Sequence, residues 1–205
     1  MTKRVELVFD FVSPNAYLVF WPLRDLVAKA GAQLVLLPVF LAGMHKLTGN
    51  APPMIRDAEV KGKNEYAVLE MERFIAHHGL TNYRMHPQFP FNSILLQRML
   101  YAACEEGRGV ALAEALLPAI WEEGLDISDP EAIGAVLIAA GFDAAALLAA
   151  AQSDGVKQGL TEATSAVVER GAFGIPTMWV CREGRRDEMF FGKERLGQIA
   201  EMLEV

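Results

Sequence analysis

Val5-Glu6-Leu7-Val8-Phe9-Asp10-Phe11-Val12-Ser13-Pro14 is the stretch whose reading decides the fold. Its first five residues carry the apolar pattern of a partly buried strand, and Asp10-Phe11-Val12 lead that strand into a turn. Ser13 and Pro14 then fit a helix start. Serine is a favoured N-cap, and proline at the first helical position lacks only an N–H that would have no intrahelical partner. The helix reads through Tyr17, Phe20, Trp21, Leu23, Leu26 and Val27 to Gly31, and Gln33-Leu34-Val35-Leu36-Leu37-Pro38-Val39 forms the next strand. Strand, helix and strand within about forty residues make a βαβ unit, which implies parallel strands and a right-handed crossover.

Outward from this unit, strand signals nearly vanish. Between Pro52 and Arg170 apolar residues recur at helical spacing, first as Ala67, Met71, Phe74 and His78, a run that Gly79 stops. Further helices are expected over 92–106, 110–123, 130–140, 144–153 and 160–170, with Asp129-Pro130 a second cap-and-proline start. After Gly171 the pattern returns to strands, Thr177 to Cys181 and Glu188 to Phe191, around a polar turn at 182–187. A final helix runs from Glu194 through Leu196, Ile199 and Leu203. The whole order gives an α/β fold, a thioredoxin-like βαβ…ββα core with a large all-helical insertion. The expected division is 1–45 for the first part of the core, 46–170 for the insertion and 171–205 for the second part.

Composition narrows the function. At 205 residues and 52% apolar content, the chain can bury one core and carry an insertion. A net charge of −7 and the absence of a Lys/Arg block argue against a nucleic-acid partner. Ala132 to Ala151 is apolar, but Gly134, Gly141 and Asp143 interrupt it, so two buried helices are expected there and no membrane span. Asp10 arrives before a signal-peptide apolar run is complete, which points to the cytoplasm. Cys104 and Cys181 stand far apart in no Cys-x-x-Cys spacing, and His45, His77, His78 and His86 show no metal-ligand spacing, so no metal site is expected.

Three separated motifs, Asp10-Phe11-Val12-Ser13-Pro14, Phe173-Gly174-Ile175-Pro176-Thr177 and Phe191-Gly192-Lys193-Glu194-Arg195-Leu196, resemble the kappa-class glutathione transferases over essentially the whole chain. Within that family the pattern is most similar to the 2-hydroxychromene-2-carboxylate isomerases, whose substrate-site stretch is matched by Lys46, the Gly49-Asn50 pair and Arg56. The resemblance implies glutathione as cofactor, its sulfur held at Ser13, where redox relatives carry a cysteine. It implies a cis peptide at Ile175-Pro176 whose Ile175 N–H and C=O pair with the tripeptide backbone, and it gives the γ-glutamyl end to Gly192, Lys193 and Glu194. In the family a small polar residue and an aspartate usually stand where this chain has Lys193-Glu194. Lys46, Asn50 and Arg56 are the candidates for binding a small aromatic carboxylate substrate, Phe89-Pro90-Phe91-Asn92 a candidate apolar wall, and a homodimer is expected.

Bland readings stand beside these. Ser13-Pro14 also serves as a plain N-cap, Pro176 as a strand-edge proline, Gly192 to Glu194 as a loop entering a helix, and Lys46 and Arg56 as solvated charges. Three functions follow from the same residues: an isomerase that returns its glutathione, a kappa-type transferase or peroxidase that consumes it, and a non-catalytic peptide-binding module.

Overall fold

The computed structural model describes residues 3–204. Four strands, β1 (Lys3–Phe9), β2 (Gln33–Pro38), β3 (Thr177–Arg182) and β4 (Glu188–Phe191), form one sheet in the order β2-β1-β3-β4. β1 and β2 are parallel and joined by α1 (Pro14–Lys29), whereas β3 is antiparallel to both β1 and β4. β1 is therefore central, which is why Val5, Leu7, Val8 and Phe9 are all fully buried. Each contributes on the order of 1.5–3 kcal/mol by leaving water. Glu6, also buried, is matched by Arg4 at 2.7 Å and by Arg170.

Between β2 and β3 lie α2 (Leu41–Thr48), the single-turn α3 (Pro53–Arg56), α4 (Lys63–His78), α5 (Ile94–Glu105), α6 (Gly109–Trp121), α7 (Pro130–Ala139), α8 (Ala144–Gln152) and α9 (Asp154–Glu169). A 3-10 turn at Lys193–Arg195 opens α10 (Leu196–Leu203). The expected helices are present, and two features differ from the sequence pattern. α2 is a helix where the sequence pattern showed none, so the expected boundary at residue 46 falls inside it. α9 begins six residues before the expected start at 160 because Ser153 caps it, its Oγ accepting the Val156 N–H at 3.3 Å.

Asp129 and Asp143 cap α7 and α8 in the same way, each accepting an N–H at 2.9 Å. Among the described residues no helix is long and apolar enough to cross a membrane, and no cluster of three or more metal-ligating side chains occurs.

Candidate active site at one end of the sheet

Strand directions bring the sequence candidates to one end of the sheet. Val8 of β1 faces Thr177 of β3, and Thr177 faces Phe191 of β4. The turn after β1, the loop before β3 and the residues after β4 thus share that end, which β2 also enters as it passes to α2.

Ser13 sits at the mouth of α1 with φ −86° and ψ 114°, the extended geometry of an N-cap. Its side chain is buried, and its Oγ accepts the Ala16 N–H at 3.2 Å. A hydroxyl has one proton and two lone pairs, so this bond leaves the proton free to be donated. The first turn of α1 contains no acidic residue, so its positive end is not neutralised from within.

The turn itself is fixed by residues distant in sequence. Gln97 of α5 donates to Phe9 O at 2.8 Å and to Val39 O at 2.7 Å, and accepts from Phe11 N. Trp121 Nε1 donates to Phe11 O at 3.0 Å. Neither Gln97 nor Trp121 was legible as a site residue, because each partner lies more than fifty residues away along the chain.

Facing that turn, the Ile175-Pro176 peptide is cis. Pro176 O accepts the Gly192 N–H at 3.0 Å, and Thr177 Oγ1 donates to Gly174 O at 2.7 Å. Among the described residues nothing bonds to the N–H or C=O of Ile175, although the residue is buried. A buried, unpaired N–H and C=O side by side suit the addition of an extended peptide segment. Together with the α1 N-terminus, whose first turn holds no acid, they fit a short peptide bearing an anion, and glutathione has that chemistry.

Gly192 adopts φ 100°, a conformation that favours glycine. Lys193 after it is buried, lies 5.4 Å above the Phe74 ring and is ion-paired with Glu194. The two charges thus already satisfy one another. They border a hollow of ≈ 570 Å³ walled by Phe74 and His77 of α4, which does not extend to Ser13.

Asn50 and Arg56 are brought together; Lys46 is not joined to them. Asn50 Nδ2 donates to Phe173 O at 2.7 Å, tying the segment after α2 to the Ile175 loop, and Asn50 Oδ1 accepts from Arg56 Nη1 at 3.4 Å. Arg56 also grips Asp57 in bidentate fashion at 2.9 and 3.0 Å, with Lys63 on the same carboxylate. Arg56 and Lys63 hold the Asp57 carboxyl well below its ordinary range. Lys46, in the last turn of α2, is exposed and shares no bond with these groups.

Phe173 and Phe191 pack against each other at the rim with ring centroids 4.5 Å apart and planes tilted by 45°, both partly exposed, and Phe191 lies so close to Gly174 that a Cβ there would meet the ring at 3.1 Å. Phe89 and Phe91, by contrast, pack on Trp121 at 6.1 and 5.9 Å, so they line the aromatic cluster beneath the turn.

A family model described as "DSBA-like thioredoxin domain" matches residues 4–204. A 2-hydroxychromene-2-carboxylate isomerase of Sphingobium xenophagum is 30% identical over 96% of this chain and 95% of its own length. Human glutathione S-transferase kappa 1 is 27% identical over 99% of this chain and 92% of its own. A solved structure of 2-hydroxychromene-2-carboxylate isomerase superposes with a TM-score of 0.80 at 27% identity, covering 98% of this chain and 94% of that one.

Proposed function

The chain belongs to the DSBA-like thioredoxin domain family, in the branch of the kappa-class glutathione transferases and 2-hydroxychromene-2-carboxylate isomerases, and from that premise we propose that it is a glutathione-dependent isomerase of aromatic catabolism. The proposed reaction interconverts 2-hydroxychromene-2-carboxylate and trans-o-hydroxybenzylidenepyruvate. Bound glutathione supplies a thiolate that adds reversibly to the conjugated double bond and is returned unchanged after rotation about the resulting single bond.

One observation carries this reading: a buried serine hydroxyl with a free proton, capping a helix whose first turn holds no acid, opposite an unpaired Ile175 backbone. The site needs a sulfur that the chain does not provide. Burial pushes the Cys104 thiol up to about 12 and the Cys181 thiol up to about 11, and Cys181 pairs with Arg4 at the far end of β1. Ser13 O–H and the first N–H groups of α1 would stabilise the tripeptide's sulfur as an anion. A free thiol of pKa about 8.5 is only about 3% ionised at pH 7, and lowering it two units takes about 2.7 kcal/mol of differential stabilisation.

The remaining roles follow the same logic. Ile175 would pair with the cysteinyl backbone, and the Gly192-Lys193-Glu194 turn would receive the γ-glutamyl end once the Lys193–Glu194 pair opens. Asn50 and Arg56 would orient the substrate carboxylate, with Lys46 supplying longer-range attraction, and the Phe173–Phe191 pair offers an aromatic face at the rim.

The protein would work in the cytoplasm, where glutathione is kept reduced. It would work as a homodimer, a reading supported by the exposed apolar side chains of Met54, Ile55, Val60, Tyr66, Val68 and Leu69 along one segment. Turnover with stoichiometric accounting of free thiol tests the function. Full recovery of glutathione supports the isomerase, consumption shifts the reading to a transferase or peroxidase, and turnover without glutathione overturns both.

A further inference from the structure

Asp10 is fully buried and has no cationic partner among the described residues. Its two carboxylate oxygens serve backbone N–H groups of two different elements. Oδ1 accepts from Val12 at 3.1 Å, inside the turn that delivers Ser13, and Oδ2 accepts from Leu41 at 2.8 Å, the first residue of α2. The Asp10 carbonyl accepts the Ser13 N–H at 3.0 Å. α2 has Phe40 at its N-cap and no cap bond from a neighbouring side chain, so β1 supplies from a distance what Ser or Asp supplies locally elsewhere. Ser93, just before α5, is buried against this carboxyl, and its Oγ reaches no partner within hydrogen-bond geometry.

Resting on the glutathione reading above, we propose that Asp10 is a positioning residue for that site: ionised, it latches the start of α2 to the Ser13 turn, and on taking a proton it releases the latch. The consequence reaches both walls of the site. α2 leads to Asn50, whose side chain holds the carbonyl of Phe173 two residues before Ile175.

The titration falls within reach of ordinary conditions. Burial pushes the Asp10 carboxyl up to about 6, against the Ser93 hydroxyl and the Leu41 and Val12 N–H groups, which favour the charged form. Those three are the groups that face it from the α5 side, from α2 and from the turn. Gln97 of α5 is committed to Phe9, Phe11 and Val39, and among the described residues no charged group, His45 and Lys46 of α2 included, pairs with it.

The test is a pH titration of the Val12 and Leu41 amide resonances in the full chain by nitrogen-15 NMR, paired with calorimetric binding of glutathione over the same range. Both amides should move with one midpoint near pH 6, and Ser93→Ala, which removes a group that favours the charged form, should raise that midpoint. Glutathione affinity should fall by up to tenfold per pH unit below it. Asp10→Asn should abolish the step, and the Ser93→Ala shift decides the matter even if that variant folds poorly. Flat amide shifts, or a midpoint that Ser93→Ala leaves in place, overturn the latch. An amide step with affinity constant across it overturns the positioning role, whereas an amide step with no glutathione binding at any pH overturns the glutathione reading on which that role rests.

Discussion

Ser13 is both a helix cap and the candidate donor to sulfur, and the two roles separate by magnitude. Losing a cap bond costs about 1 kcal/mol of stability, while removing a donor to a developing anion costs roughly 10²–10³ in rate. Ser13→Ala should therefore lower turnover by about two to three orders of magnitude and stability by only about 1 kcal/mol, read by steady-state kinetics beside urea unfolding. Equal, small losses would make Ser13 a cap alone. Both cysteines should stay silent toward a thiol reagent at pH 8 until the protein is unfolded, because burial keeps them protonated; reaction of one equivalent in the native state would contradict this. At this scale the sequence disclosed residues whose signal is local, the Ser13-Pro14 pair and Pro176. Asp10, Gln97 and Trp121 carry no such signal, since their meaning lies in partners 31 to 110 residues away.

Helices were legible where the apolar period and the caps agree, as at Asp129-Pro130, and less so where glycine opposes the period. α9 carries Gly155 and Gly159, which lower helix propensity by about 1 kcal/mol each against alanine. Their surroundings differ. A Cβ on Gly159 would clash with the Tyr101 ring and hydroxyl of α5, whereas one on Gly155 meets nothing within 4 Å. Gly159→Ala should thus destabilise by about 1–3 kcal/mol through overpacking, and Gly155→Ala should stabilise by about 0.5–1 kcal/mol, both measured by thermal and urea unfolding. The same sign for both would show that propensity, not packing, governs this helix. α2 escaped the sequence reading for a related reason: only Met44 is buried within it, and its start is held by β1 rather than by its own residues.

For the molecule as a whole, two sets of carboxylates set stability against pH in opposite directions. Glu6 and Asp57 titrate below their ordinary values, so what they contribute is present above the unfolded carboxyl range and is lost as pH falls through their folded values. Asp10 is raised from 3.8 to about 6, so the folded state holds its proton longer than the unfolded chain. Stability on that account declines as pH rises through this interval, by about 3 kcal/mol for a two-unit shift. His45 and His78, both lowered by burial, act the other way in this window, so the measurement is the difference in unfolding free energy between the chain and Asp10→Asn, which should be greater near pH 5 than at pH 7.5; a difference that rises from pH 5 to 7.5 would contradict the assignment. Assembly is tested by Ile55→Asp on the exposed α3, a change expected to split a dimer in sedimentation while leaving the secondary structure intact. No change in mass would remove this face from the interface. The thioredoxin-like core was readable because βαβ followed by ββα leaves few topologies. How the helices pack over the sheet end was not readable, because that depends on side-chain fit between segments far apart.

Trp121 clamps the turn, its indole N–H on the carbonyl of Phe11, two residues before Ser13, within a cluster of aromatic rings. The other two tryptophans stand under guanidinium groups elsewhere, Trp21 beneath Arg24 and Trp179 beneath Arg170. The emission wavelength of an indole follows the polarity and electric field around its ring, and this ring lies directly beneath the Ser13 turn. Loading the helix mouth with a ligand then writes itself into the intrinsic fluorescence, and a chain with Trp21 and Trp179 replaced by phenylalanine would report occupancy in real time with no added dye.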